Sequence, residues 1–359
     1  MYPNDDMHYS SETAIPMHDI IRRDPGLWSL FTREEEYSPE LLDEFGRFPY
    51  YMSRDRNVFQ PRVSEFLIEN GCSMEFPGGH PFALCLTHDI DHVFTPILKK
   101  GLSAWRSLKR GEIREAVGSV SQVRSRKRPL CNFNDIMDLE EKYGGKSTFF
   151  FMVESPGDRA YSYDIEDVAE EIGEIVERGW EVGLHGGFTT HLDEQELRVK
   201  KERLERITSC SVQGYRNHYL CFKVPDTWEM LARAGFMYDS TLSYGDCAGF
   251  RNGMCHPFIP FNLNSGRSIG VIEIPLILMD GVLDSTHMRL DRATSWRLIR
   301  MLIDSVARVH GVFTVVWHNT LMRGEDLGMY RKILDYCKEK DALITSCSEI
   351  ATIGPPEIR

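Results

Sequence analysis

Residues 87–92 read Thr87-His88-Asp89-Ile90-Asp91-His92, two carboxylates two positions apart between two imidazoles. The run FALCLTHD over 82–89 is apolar until its end, the pattern of a buried strand that delivers polar groups at its carboxyl terminus. Side chains two apart on a strand point the same way, so Asp89 and Asp91 can face one ion. Three later segments end similarly. WEVGLH over 180–185 ends in His185, VQGYR over 212–216 runs into Arg216-Asn217-His218-Tyr219, and VFTVVWH over 312–318 ends in His318. A single histidine at a strand end is ordinary; four ends delivering Asp, His, Arg and His together are not. Carboxylates with neutral imidazoles suit a borderline divalent cation such as Zn²⁺ with one position left open. Such an ion acidifies a water and polarises a carbonyl oxygen. A carboxylate that does not ligate it can then act as base, and a histidine from the opposite wall as acid.

The elements that must position these groups alternate. KSTFFFMV over 146–153 and GVIEIPLIL over 270–278 read as further buried strands, giving at least six. Between the strands, 163–179, 193–207, 226–235, 295–311 and 329–340 carry helical spacing; in the first, apolar residues fall at 165, 168, 172, 175 and 176 and the pattern closes on Gly179. Apolar strands alternating with such helices predict βα units and a parallel sheet. No Gly-rich phosphate loop follows the first strand, so a barrel is expected rather than an open sheet, with its site at the carboxyl ends of the strands. Residues 1–80 differ: they are rich in Asp, Glu, Pro and Tyr, with one helical stretch expected over Ser38–Phe45 and a breaker cluster, FPGGHP, over 76–81. They read as an arm or lid on a main domain over 81–359.

With these motifs in order, the chain resembles the polysaccharide deacetylases of carbohydrate esterase family 4. Thr87-His88-Asp89-Ile90-Asp91 stands where that family has Thr-Phe-Asp-Asp-Gly, and Ser147-Thr148-Phe149-Phe150 is similar to its second-strand signature. His185 opens the place of its His-Ser/Thr-x-x-His motif, Arg216-Asn217-His218-Tyr219 that of Arg-x-Pro-Tyr, and Val316-Trp317-His318 that of Leu-x-His. The resemblance spans roughly 81–350 and is nearest to a subgroup that writes the first motif Thr-His-Asp-Val-Asp-His; Tyr238-Asp239-Ser240-Thr241 and Gly249-Phe250-Arg251 resemble that subgroup too. It implies a distorted (β/α)7-type α/β barrel of parallel strands with the N-terminal arm or lid attached. By the same resemblance Asp89 is the base, Arg216 holds Asp89 charged and oriented, the Tyr219 backbone N–H helps stabilise an oxyanion, and His318 protonates the leaving amine. Asp91 and His185 are implied metal ligands. The family's second metal histidine falls at position 189, which is Thr189 here, so the third ligand is either His218, in the place of the motif's proline, or His191, reached past Gly186-Gly187. His88 is expected to face away from the site and His92 to cap the following helix. His256 and His287 read as loop residues, and Glu273 and Asp280 as strand-end residues; Asp280 is placed either to orient His318 or in a solvated turn.

Charge and composition bound the partners. The 359 residues carry a formal charge of −12, which disfavours nucleic acid. The segment Lys99–Arg128, inside an insert over 94–130, is net +8, leaving −20 for the rest. Phe94, Ile97, Leu98, Leu102, Trp105 and Leu108 share one helical face there, as in a solvated helix docked on the barrel or a helix meeting an anionic partner, the diphosphate of a substrate or a membrane surface. The nine cysteines form no CxxC pair and read as reduced. With no basic-apolar leader and no apolar run of about 18 residues, a cytoplasmic, soluble chain is expected, peripheral to a membrane at most. The function expected is metal-dependent removal of an N-acyl group, N-acetyl foremost, from an amino sugar in a nucleotide- or lipid-linked glycan precursor. The alternatives are a degenerate barrel that binds a glycan without turnover and hydrolysis of a non-sugar amide, as in allantoinase-like relatives.

Overall fold

The computed structural model describes residues 17–94, 130–284 and 286–358. Ile97, Leu98 and the Lys99–Arg128 segment lie outside them; every candidate catalytic or metal-site residue above is described.

The centre is one parallel sheet: β1 (Ala83–Ile90), β2 (Thr148–Met152), β3 (Glu181–Gly186), β4 (Gly214–Asn217), β5 (Tyr238–Asp239), β6 (Ile272–Glu273), β7 (Leu278–Met279), β8 (Val312–Val316) and β9 (Leu343–Thr345). Hydrogen-bonded neighbours run β7-β8-β1-β2-β3-β4-β5-β6, all parallel. The two outer members, β6 and β7, belong to one extended stretch. Its first half pairs with Tyr238–Asp239 and its second with Val315 and Val316, so a single segment joins the two edges. Pro275 stands at the crossing, where the chain leaves one edge for the other and a missing N–H costs the ladder nothing. The result is a distorted (β/α)7-type barrel. β9 is an extra wedge beside the amino half of β1, pairing Leu343–Thr345 with Ala83–Cys85, whereas β2 pairs with its carboxyl half, Thr87–Ile90.

Burial on both faces explains the strand composition. All eight residues of β1 and all five of β2 are buried, and Phe149, Phe150 and Phe151 alternate between helix-facing and interior positions. Each such phenylalanine contributes about 2–3 kcal/mol of apolar burial. Among the described residues, seven helices follow the arm: α4 (Phe133–Glu141), α5 (Ala169–Glu177), α6 (Glu194–Thr208), α7 (Asp226–Arg233), α8 (Arg292–Arg308), α9 (Gly324–Glu339) and α10 (Cys347–Ile353), after α1 (Met17–Ile21), α2 (Pro25–Thr32) and α3 (Arg62–Glu69) within it. Side-chain caps set several starts: Asp193 accepts from Gln195 and Glu196, and Asp291 from Thr294, which begins α8 three residues before the apolar spacing does. The expected helix over 163–179 opens instead as a 3₁₀ turn over Ile165–Val168. No described helix is long and apolar enough to cross a membrane.

The helix expected over Ser38–Phe45 is absent; that stretch is an open loop. Asp43 ends it by taking the Phe45 and Arg47 backbone N–H groups at 2.9 Å each and the Arg47 guanidinium at 2.7 Å, a side-chain turn that competes with helix. The arm is fastened to the barrel through buried charge. Glu36 accepts from both Arg33 and Arg251, and Arg251 also donates to the Ser243 carbonyl at 2.6 Å. Cys72–Ser73 pairs antiparallel with Glu357–Ile358. His256, expected in a loop, is buried and joins α3 to the barrel, with Nδ1 2.9 Å from Ser64 Oγ and Nε2 3.2 Å from the His310 carbonyl. The nine cysteines are free thiols.

Burial pushes the His256 imidazole down from 6.5 to about 4. The folded protein therefore holds it neutral while the unfolded chain takes up a proton below 6.5, so its contribution is intact above that pH and is lost as pH falls toward 4. Urea midpoints are expected to be level from pH 8 to 7 and to fall between about pH 6 and 4.5; the His256→Gln variant should start lower at pH 8 and show a shallower fall.

Candidate active site

β1 ends the chemistry-bearing motif in two directions. His88 points outward into the packing: its Nε2 lies 2.7 Å from Glu140 Oε1 and its Nδ1 2.6 Å from the Trp317 carbonyl. Glu140 also accepts from Ser147, Trp180 and Tyr330, a buried network tying β1 to α4 and α9. His92 contacts Ser162 Oγ at 2.9 Å. Asp89 and Asp91 point into the barrel mouth, as the two-residue period requires.

Asp89 Oδ1 lies 3.1 Å from Arg216 Nη1. That guanidinium is fully buried and spends its other donors on Thr87 Oγ1, the Ser240 carbonyl and Ser240 Oγ at 2.5, 2.9 and 2.8 Å. Its face rests 4.6 Å from the Phe150 ring centroid. The Tyr238–Thr241 stretch is thus the support of Arg216: Thr241 Oγ1 also accepts the Asn217 N–H at 3.0 Å and donates to Asp239 at 2.5 Å. Behind it, Glu273 stands at its strand end as expected, buried and bonded to Trp228 Nε1 and the Leu242 N–H. Burial and the neighbouring Asp239 push its carboxyl well above the usual range; burial also lifts Asp239, to about 6.

Asp91, His185 and His218 form a compact group. Asp91 Oδ1 is 3.2 Å from His185 Nε2 and 3.3 Å from His218 Nδ1, and the two nitrogens are 3.2 Å apart. Bonds of about 2.1 Å to one ion give ligand edges of roughly 3.0–3.4 Å, so the triangle has the size of one face of a metal polyhedron. Asp91 Oδ1 is buried yet makes no hydrogen bond. His185 Nδ1 lies 3.1 Å from the Arg216 carbonyl and donates there, which leaves the Nε2 lone pair facing the carboxylate. Three electron-pair donors in a buried space call for a cation between them, and the residues present fit a divalent ion. Burial would raise the Asp91 carboxyl; the His218 and His185 imidazoles, with His318, hold it well below its usual range.

His318 completes the rim opposite. Its Nδ1 lies 2.8 Å from Asp280 Oδ1, its backbone N–H donates to Asp280 Oδ2 at 2.6 Å, and its Nε2 faces Asp91 Oδ2 at 3.6 Å. Burial opposes its charge, but Asp280 above all pushes it up to about 10. Tyr219 sits at the mouth in a left-handed backbone conformation (φ 58°), as does Leu220 (φ 56°), a strained pair of residues of the kind that collects at functional sites. His191 does not join the group. It lies in the turn Thr190–Leu192, facing a neighbouring cleft, because the Gly186–Thr190 loop is drawn the other way by Thr190, which bonds the Gly187 N–H and Glu196 and lies 3.2 Å from buried Lys200.

Asp89, Asp91, His185, His218, Tyr219 and His318 line a cavity of about 430 Å³. Part of its wall escaped the sequence reading. Glu44, Phe45 and Arg47 come from the arm: Arg47 donates to the Tyr219 carbonyl at 2.7 Å, and Phe45 stacks on the Tyr219 ring at 4.8 Å. Only the acidic, aromatic composition of the arm hinted at this. His287, read as a loop residue, also lines the mouth, with Asp284 and Thr286.

No family model matches the chain, and no curated protein is found similar to it. Solved structures are. The "putative polysaccharide deacetylase" of Mycobacterium smegmatis superposes with a TM-score of 0.53 at 22% identity, over 78% of this chain and 92% of that one. The chain has the fold of that polysaccharide deacetylase. The catalytic domain of the peptidoglycan N-acetylglucosamine deacetylase of Eubacterium rectale also aligns, with a TM-score of 0.40 at 12% identity, over 80% of this chain and 96% of that one.

Metal analysis after dialysis against a weak chelator distinguishes the histidines. Asp91→Ala and His218→Ala are expected to lower Zn²⁺ affinity by about tenfold or more, and His191→Ala to leave it within about twofold. Equal losses from His191→Ala and His218→Ala would remove this ligand assignment.

Proposed function

We propose that the chain is a metal-dependent N-deacylase that releases an acyl group, acetyl foremost, from an amino sugar. The observation that carries this reading is the meeting, in one cavity, of an Asp-His-His triangle with two separately supported proton-transfer groups, Asp89 on Arg216 and His318 on Asp280. Binding alone requires neither a supported base nor a supported acid, which argues against the non-catalytic barrel. A divalent ion held by Asp91, His185 and His218, Zn²⁺ by donor type, would supply Lewis-acid polarisation of the amide carbonyl and a more acidic water.

The chain's own residues do the rest. Asp89 accepts a proton from the attacking water, its second oxygen anchored by Arg216 so that one lone pair keeps its aim. The Tyr219 N–H, held in its turn by Arg47 on the following carbonyl, is placed to stabilise the oxyanion. His318, oriented through Nδ1 by Asp280, presents Nε2 to the cavity and gives its proton to the departing nitrogen. The free amine leaves as a cation from a cavity whose lining includes Asp89, Asp91, Glu44 and Asp284. The substrate side of the reading is a glycan precursor carrying a nucleotide or lipid phosphate, met inside the cell or at its membrane surface, with the basic segment over 99–128 available to the anionic part.

Acetate release from N-acetylated nucleotide- and lipid-linked sugars is the direct test. Asp89→Asn is expected to reduce kcat by about a hundredfold or more while bound metal stays at the wild-type level, and Asp280→Asn to reduce kcat with little change in KM. No acetate from any substrate of the panel, with metal bound, would sink the hydrolase reading. Neutralising Lys99, Lys100, Lys109 and Arg110 together should weaken binding to anionic vesicles or to the diphosphate substrate.

A further inference from the structure

A second cavity of about 400 Å³ lies beside the catalytic one and shares Glu44 and Phe45 with it. Its walls are the arm loop on one side and residues 188–192 and 222–224 on the other. Two leucines on its lip are exposed, Leu42 at 49% and Leu192 at 62%, a surface that water disfavours unless something covers it. Several polar groups of the lining are already committed, although His191 Nδ1 is buried there without a hydrogen-bond partner. Glu36 is bonded to Arg33 and Arg251, the Tyr37 hydroxyl to the Phe261 carbonyl and the Leu263 N–H, Thr189 to Glu196, and Lys223 to Asp226. What remains to a ligand is mostly aromatic and aliphatic surface. A nucleobase would find few free partners there; a hydrocarbon chain needs none.

Arg159 stands over the wall between the two cavities. Its guanidinium lies 3.8 Å from the Phe188 ring centroid and 6.0 Å from that of Phe45, and among the described residues it makes no ion pair. From the catalytic cavity to the cleft the surfaces are therefore acid and base groups, the shared Phe45 wall with the Arg159 guanidinium near it, then an apolar trough.

We propose that the cleft holds the hydrocarbon chain of a lipid-phosphate-linked amino sugar, with Arg159 against the phosphate and the acylated sugar in the adjoining cavity. This rests on the deacylase reading and narrows its substrate to the lipid-linked class. Sugar, phosphate and chain follow in the order of the three surfaces.

The test separates binding from turnover. Calorimetry on the full chain with dodecyl phosphate below its micellar concentration is expected to show saturable binding, and methyl phosphate to show about a hundredfold weaker binding or none. The double variant Leu42→Asp/Leu192→Asp should weaken dodecyl phosphate about tenfold or more, and Arg159→Gln about fivefold. Leu41→Asp, on an exposed leucine outside the cleft, should leave it unchanged. Equal affinity for the two phosphates, or indifference of dodecyl phosphate to the double variant, would overturn the proposal. So would tighter binding of uridine diphosphate with the same sensitivity, or a double variant that changes only the oligomeric state. In the turnover arm, dodecyl-phosphoryl N-acetylglucosamine should show a lower KM than N-acetylglucosamine 1-phosphate, and the double variant should erase the difference. Dodecyl phosphate binding as expected with no acetate from either sugar would leave the cleft standing and remove the deacylase reading.

Discussion

A guanidinium with no access to water has to be compensated by its surroundings, and Arg216 meets that constraint by organising the end of the barrel where the strand carboxyl termini converge. Its donors reach Asp89 and Thr87 on β1 and Ser240 beyond β5, while its own strand presents His218 two residues later and its carbonyl orients His185. Removing one partner of a buried ion pair typically costs about 3–5 kcal/mol. The same interaction that fixes Asp89 therefore also holds three strands together where Asp91, His185 and His218 meet. Support of Asp89 and support of the fold cannot be separated at this residue, and a Lys could not replace its planar fork.

Two kinds of carboxylate surround that centre, and environment sorts them. Asp91 lies among imidazoles and is held well below the ordinary range; Glu273 and Asp239 lie against each other in the packing and are pushed up. Asp280 serves a third purpose, fixing the ring and the backbone of His318 at once. The motif's own histidine, His88, is spent on the buried Glu140 network and bonds the carbonyl next to His318. Much of the apparent richness of the Thr-His-Asp-Ile-Asp run is thus divided: alternate residues serve the site and the packing, as a strand dictates.

The arm supplies part of both cavities. Phe45 and Arg47 form a wall of the cavity that Asp89, Asp91 and His318 line, and the loop they belong to forms the far side of the apolar cleft. That loop stays irregular because Asp43 satisfies its backbone donors locally, which frees the aromatic side chains to face the site instead of a helix axis. The Arg33–Glu36–Arg251 cluster holds the arm against the barrel through buried charge.

The sequence alone determined the parallel strands, their helices and the strand ends that carry Asp89, Asp91, His185, Arg216 and His318, because fully buried strands and amphipathic helices leave strong periodicities and polar residues stand out where they stop. It did not reveal β5 or β9, whose two or three residues are too short to show a period, nor that one stretch around Pro275 closes the barrel. It left the third ligand open between His218 and His191, since spacing along the chain says nothing about which way a Gly-Gly loop turns. It also could not place Glu36, Phe45 or Arg47, whose partners lie 172 or more positions away for the Arg47–Tyr219 contact and 215 for Glu36–Arg251. Those pairings are decided by how the arm packs on the finished barrel, a long-range arrangement that no local pattern encodes.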